Sequence, residues 1–188
     1  RRNQDLIRQS ERRTRLLEAA KASGVDRFAA ASSSSVYGDA ETYPTTEAAL
    51  PRPVSPYGVT KLAAEHLCTL YATNFGVPTV SLRYFTVYGP RQRTDMALRR
   101  MIDMTLAGER FPLYGDGSVS RSFTYVGDVV EANLAALFHP APPGTVVNVA
   151  NETTASMREL IDLVGQAVGS PVQIDRHEAA AGDAQRTG

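Results

Sequence analysis

Tyr57 and Lys61, four residues apart, are the pair in this chain best suited to proton chemistry. Lys61 is one of only two lysines in a sequence of 188 residues that carries eighteen arginines. Residues four apart share a helix face, which sets the ammonium beside the phenol. A cation in that place favours phenolate and lowers a tyrosine pKa from its reference of about 10. An arginine would also be cationic, but its fork is bulkier and shaped for planar bidentate partners. The spacing alone fits an amphipathic helix with a solvated lysine equally well, so the surroundings decide.

Those surroundings are a serine run and a proline-initiated helix. Arg27 to Ser33 reads as a short apolar strand, and Ser34, Ser35, Val36, Tyr37 and Gly38 follow it. A polar, proline-marked loop runs from Asp39 to Val54. Ser55 is placed to cap a helix that begins at Pro56, a favoured first helical residue. In an open parallel sheet, ligands bind beyond the carboxyl ends of the strands. The serines and the Tyr57/Lys61 face therefore meet in one crevice. Taken alone, serines in such a run are turn and capping residues.

The remaining sequence supplies alternating elements. Helices are expected over Asp5–Ala22, Pro56–Phe75, Asp95–Gly108, Val126–Phe138 and Ser156–Val168, the last with a Ser156/Glu159 capping box. Strands are expected over Arg27–Ser33, Thr79–Tyr84, Phe111–Tyr114, Arg121–Tyr125, Thr145–Val149 and Val172–Arg176. Ala179–Gly188 reads as a loose tail. Alternation of this kind predicts a layered α/β fold. With 43% hydrophobic residues, the chain can bury a core. Its formal net charge is zero and it has no basic run, which argues against nucleic acid. Cys68 stands alone and leaves no internal disulfide, and His66, His139 and His177 have no metal-ligand spacing. No stretch approaches a membrane span and no signal peptide opens the sequence, so a cytoplasmic protein is the default expectation.

Seven short motifs occur in order: Leu16–Ala20 (L-L-E-A-A), Ser32–Gly38 (S-S-S-S-V-Y-G), Ser55–Lys61 (S-P-Y-G-V-T-K), Leu82–Pro90 (L-R-Y-F-T-V-Y-G-P), Tyr114–Gly117 (Y-G-D-G), Phe123–Val126 (F-T-Y-V) and Asn148–Ala150 (N-V-A). In these the chain resembles the extended short-chain dehydrogenase/reductases, specifically their NAD-dependent nucleotide-sugar epimerases and dehydratases, from Leu16 onward. The resemblance implies a Rossmann-like, doubly wound parallel sheet lacking its N-terminal half, with a small C-terminal substrate-binding α/β portion. Residues 1–90 would then be the later part of the NAD-binding domain. Residues 91–188 would be mainly substrate-binding, with elements returning to the first sheet. None of the fourteen glycines forms the G-x-x-G-x-x-G turn that seats a dinucleotide pyrophosphate. The chain is accordingly expected to be an internal piece of a longer protein, inactive by itself. Gln9 stands where relatives place an asparagine that helps hold NAD.

The same resemblance implies roles residue by residue. Ser33 would be the catalytic hydroxyl, Tyr57 the acid/base and Lys61 the residue on the nicotinamide ribose. Phe85 matches a position packed by the nicotinamide, and is equally a core aromatic at a strand end. Arg121 matches an arginine that binds the substrate diphosphate, and a surface ion pair is its alternative. Dehydratases place Asp and Glu after the catalytic Ser or Thr, where this chain has Ser34 and Ser35, so epimerisation is favoured over elimination. Thr86–Met96 is similar to the segment of UDP-glucuronate 4-epimerases in which a threonine and an arginine hold the sugar carboxylate, here Thr86 and Arg93. Ser35 would complete that shell, and the alternative for Arg93 is a solvent-facing loop residue. The implied protein is an NAD-dependent nucleotide-sugar 4-epimerase, a homodimer when intact. UDP-glucuronate stands ahead of UDP-glucose or a UDP-N-acetylhexosamine as its substrate, and a related dehydratase is a further alternative. A non-catalytic pseudoenzyme domain is the alternative of another class, since Ser122 and Gly127 stand where relatives carry Asp.

Overall fold

A computed structural model describes residues 2–178 and 186–188, with side chains from Glu11 to Glu178. Three parallel strands form the first sheet in the order β1-β2-β6: β1 Phe28–Ser33, β2 Thr79–Tyr84 and β6 Thr145–Val149. Helices α1 (Arg2–Ser23) and α2 (Pro56–Phe75) pack on each other and on β1, while α4 (Val126–Phe138) packs against β1 and β2. Strand periodicity explains the layering. On β2, Val80 and Leu82 join Val129 and Ala136 of α4 and Val149 of β6 in one core. The alternate residues look the other way, and the Thr79 hydroxyl donates to the Cys68 carbonyl of α2 at 3.0 Å. On β1, Ala30 packs with Leu17 and Ala20 of α1 and with Cys68 and Tyr71 of α2. The sheet is thus covered on both faces, as a parallel α/β layer requires. Among the described residues, β1 pairs with β2 alone and leaves its other edge open.

After β2 the chain passes through Phe85 into a second sheet. Here β3 (Thr86–Tyr88) pairs parallel with β5 (Ser120–Tyr125), which also holds β7 (Thr154–Ser156) antiparallel and β9 (Arg186–Thr187) parallel. Strands β4 (Phe111–Tyr114) and β8 (Ile174–His177) form a separate parallel pair. Helix α3 (Ala97–Leu106) packs on α5 (Met157–Val168) around Met101, Phe111 and Val164.

The limits of α2 follow from local chemistry. Ser55 accepts the Gly58 amide at 3.1 Å, Pro56 occupies the first turn, and Gly76 closes the helix at φ 70°. The expected capping box of α5 is present, with Ser156 accepting the Glu159 amide at 3.2 Å and Glu159 accepting the Ser156 amide at 2.7 Å.

Four expectations need correction. Helix α3 begins at Ala97, two residues after Asp95, because the Asp95 carboxylate is engaged by Arg93 and caps nothing. The strand that pairs with β4 lies at Ile174–His177, starting two residues and ending one residue later than expected. The 3-10 turn at Ser34–Val36 and strands β3 and β7 are additional elements, each of three residues, too short to show a period. The tail contributes a strand: Arg186–Thr187 pairs with Ser120–Arg121, while residues 179–185 lie outside the described part.

Candidate functional site

Strand β1 delivers the serine run to the carboxyl edge of the first sheet. Ser33 ends the strand at φ −158° and caps the 3-10 turn. Its hydroxyl oxygen accepts the Ser35 amide at 3.2 Å and the Ser35 hydroxyl at 2.8 Å. A serine hydroxyl has two acceptor sites and one proton, so Ser33 still has its own proton to donate.

Helix α2 meets this turn at its first residues. Gly58 sits so close to it that an added Cβ would overlap the Ser35 carbonyl oxygen and stand 2.9 Å from the Pro53 side chain. Tyr57, the preceding residue, keeps 46% of its surface open. Lys61 lies one turn on, its ammonium 5.5 Å from the Tyr57 ring centroid, a cation–π distance. The same ammonium donates to the Ala31 carbonyl of β1 at 2.9 Å, leaving two N–H donors. Burial pulls the Lys61 pKa below its ordinary value, and the nearby Arg13 charge adds to the effect.

The other predicted positions fall around this centre to different degrees. Arg93 is exposed, and its fork is filled by Asp95, with Nε to Oδ1 at 2.9 Å and a terminal nitrogen to Oδ2 at 2.5 Å. Those bonds and the Asp95 charge raise the Arg93 pKa, and the Tyr57 phenol makes a smaller contribution in the same sense. Thr86 and Ser35 are half-buried, Thr86 opening β3 opposite Phe123. Phe85 is a core residue, packed with Val36 and Tyr37 beneath the serine turn. Arg121 lies in β5 between Ala155 and Thr187, where one guanidinium nitrogen donates to the Ser120 carbonyl at 2.9 Å. The side chain of Gln9 lies outside the described part. A separate apolar cavity of about 670 Å³ lies between α3, α5 and β7, and none of the predicted site residues lines it.

A group that the sequence analysis did not single out underlies the turn. Arg83 and Glu65 form a buried bidentate ion pair, with Nε to Oε1 at 3.0 Å and a terminal nitrogen to Oε2 at 2.7 Å. Ser32 donates to the same carboxylate, and the third guanidinium nitrogen donates to the Tyr37 hydroxyl at 2.6 Å. Tyr37 in turn donates to Asn148 of β6 at 2.8 Å. A signal was present: an arginine inside a strand expected to be buried needs a carboxylate partner.

Residues 3–150 match the family described as the NAD dependent epimerase/dehydratase family. The uncharacterized UDP-glucose epimerase YtcB of Bacillus subtilis is 41% identical over 92% of this chain and 54% of its own length. A probable UDP-glucuronate 4-epimerase of Rhizobium meliloti is 35% identical over 92% of this chain and 56% of its own. Among solved structures, UDP-glucuronic acid 4-epimerase of Bacillus cereus, in complex with UDP-glucuronic acid and NAD, superposes with a TM-score of 0.89. It is 41% identical and is matched over 93% of this chain and 56% of that one. The chain thus spans about half the length of the relatives it matches.

The contact between Gly58 and the turn predicts the outcome of one substitution. Gly58→Ala must push α2 away from Ser35, an overpacking cost of about 1–3 kcal/mol that exceeds the roughly 1 kcal/mol gained in helix propensity. Thermal melting of the variant is expected below that of the unchanged protein, and an equal or higher melting temperature would show that the turn yields freely.

Proposed function

The chain belongs to the NAD-dependent epimerase/dehydratase family, and from that premise we propose that the intact protein is an NAD-dependent nucleotide-sugar 4-epimerase. The observation that supports this reading is the close approach of Gly58, next to Tyr57, to Ser35 of the serine turn, with the Lys61 ammonium 5.5 Å from the Tyr57 ring. Ser33 passes the proton of the sugar 4-hydroxyl to Tyr57, which acts as base as the C4 carbonyl forms and as acid when the alcohol is restored. NAD, when bound, would supply the hydride acceptor and donor that chemistry at C4 requires. The two donors that Lys61 has beyond its bond to Ala31 suit a pair of ribose hydroxyls, so the nicotinamide end of the cofactor fits the residues present. We assign Phe85 to the wall beneath the nicotinamide and Arg121 to the substrate diphosphate. In the same reading, residues 1–90 are the later part of the cofactor domain, and residues 91–188 mainly serve the substrate.

For the sugar we favour a uronate, UDP-glucuronate, held by Arg93 with Thr86 and Ser35. Asp95 already occupies the Arg93 fork side-on, which supports the fit of a carboxylate there. Such a clamp also matters chemically, because a 4-keto uronate is a β-keto acid that loses CO₂ when its carboxylate turns perpendicular to the ketone. UDP-glucose and UDP-N-acetylhexosamines are the alternatives for the same centre. Dehydration is disfavoured by Ser34 and Ser35, whose hydroxyls cannot replace a carboxylic acid in an elimination. A non-catalytic role gains one observation: Ser122, where relatives carry Asp, is fully buried and donates to the Asn151 carbonyl at 2.8 Å, a structural contact. No helix among the described residues is long and apolar enough to cross a membrane, and we place the intact protein in the cytoplasm. We also take it to be a homodimer, a reading to which the exposed Leu16 of α1 and Leu70 of α2 lend apolar surface.

Two substitutions in the intact protein test the assignment. Tyr57→Phe is expected to lower kcat for sugar interconversion by about 10²–10⁴-fold with NAD content unchanged, as for loss of a general acid/base. Turnover like that of the unchanged protein would sink it. Arg93→Ala removes a charged, bidentate contact and is expected to lower kcat/KM for UDP-glucuronate roughly 10- to 100-fold more than for UDP-glucose. An equal loss for both sugars would refute the carboxylate role.

A further inference from the structure

The Ser33–Val36 segment is held at both ends, and both holds lead to one buried ion pair. Ser32, immediately before the segment, donates its hydroxyl to Glu65. Tyr37, immediately after it, accepts from Arg83 at 2.6 Å and stacks under that guanidinium, whose carbon lies 4.7 Å from the ring centroid. Glu65 and Arg83 close the loop through their two parallel bonds. Exposure at the four residues is between 3 and 5%. Glu65 stands on α2 one turn beyond Lys61 and two beyond Tyr57, and Arg83 stands on β2, so the node ties turn, helix and sheet together. Asn148 extends it to β6 by accepting from Tyr37 and donating to the Thr45 carbonyl at 2.9 Å.

Stability gives little reason to keep such a pair. Removing two charges from water is expensive, and apolar residues of similar volume often fold as well or better. What the pair supplies, and apolar packing cannot, is direction: each bond has a fixed angle and length, and the bidentate fork permits one orientation of its partner. Reaction rates are sensitive to such direction, since a misplacement of about 1 Å can cost on the order of 100-fold.

We infer that Glu65 and Arg83 are positioning residues which, acting through Ser32 and Tyr37, fix the serine turn in register with Tyr57 and Lys61. The inference rests on the reading of this site as the reaction centre of an epimerase. None of the four side chains needs to touch substrate. Ser32 and Tyr37 carry the effect to the turn, and the ion pair carries it to the helix.

The test uses the intact protein and two kinds of variant. Ser32→Ala and Tyr37→Phe each delete one hydroxyl at an end of the turn. The paired exchange of Glu65→Leu with Arg83→Met replaces the whole ion pair by apolar volume. In variants that remain folded at the assay temperature by thermal melting, kcat is expected to fall about 10- to 100-fold, with KM changed by less than about twofold. A paired variant that folds and keeps its kcat overturns the inference, as does a change confined to KM. If the paired variant does not fold, the single hydroxyl deletions decide, and unchanged kcat in both overturns it. Should the unchanged protein interconvert no nucleotide sugar, the functional reading fails separately. Amide exchange then judges the positioning: in Ser32→Ala, exchange at Ser34–Tyr37 should accelerate at least about tenfold while Val80–Leu82 holds, on the view that local opening is separable from global unfolding. Equal acceleration in both segments overturns it.

Discussion

The first turn of α2 lies against the carbonyl of Ser35 with no room for a Cβ between them. This contact is a steric constraint rather than an attraction, and much of the site follows from it. It sets the backbone of α2 beside Tyr57 close to the serine turn, and one turn on Lys61 donates to the Ala31 carbonyl. Ser55 and Pro56 start the helix where the constraint demands, and the buried Glu65–Arg83 pair holds the same helix two turns later. Sheet, turn and helix are therefore located against one another at several points along α2. A site built this way is preorganised by its scaffold before any ligand arrives.

Elements with strong local signals were legible from the sequence. Helix α2 has a capping serine, a proline at its start and a glycine at its end, and both of its boundaries are as expected. Strand β2 is a continuous buried run rich in β-formers, and α5 carries a complete capping box. What escaped depends on partners far away in the chain. Strands β3 and β7 exist because β5 offers them an edge, and three residues carry no readable period. Arg186 and Thr187 are polar and look like tail, yet β5 pairs with them too. Asp95 is an acceptable helix cap by type, but Arg93 competes for its carboxylate and wins.

The candidate site divides in the same way. Tyr57 and Lys61 could be singled out because their chemistry lies in residue type and short spacing, and Ser33 through the family resemblance. Arg83 left a signal as an arginine in a strand expected to be buried, but its partners Glu65 and Tyr37 become readable only when the strands and α2 come together. Phe85 remained open between core and ligand in the sequence, and its packing against Val36 and Tyr37 puts it in the core beneath the turn. That packing does not conflict with a cofactor lying nearby, since one aromatic residue can support both a turn and a ligand wall.

The proposed reaction turns on C4 of the sugar. An intact protein working as proposed inverts that carbon while its hydrogen stays within the site, because a hydride held there does not exchange with water. The direct measurement is proton NMR of the product formed from UDP-glucuronate in deuterium oxide. The expected product is the C4 epimer with protium retained at C4. Deuterium at C4 of the product, or an eliminated product in place of the epimer, would contradict it.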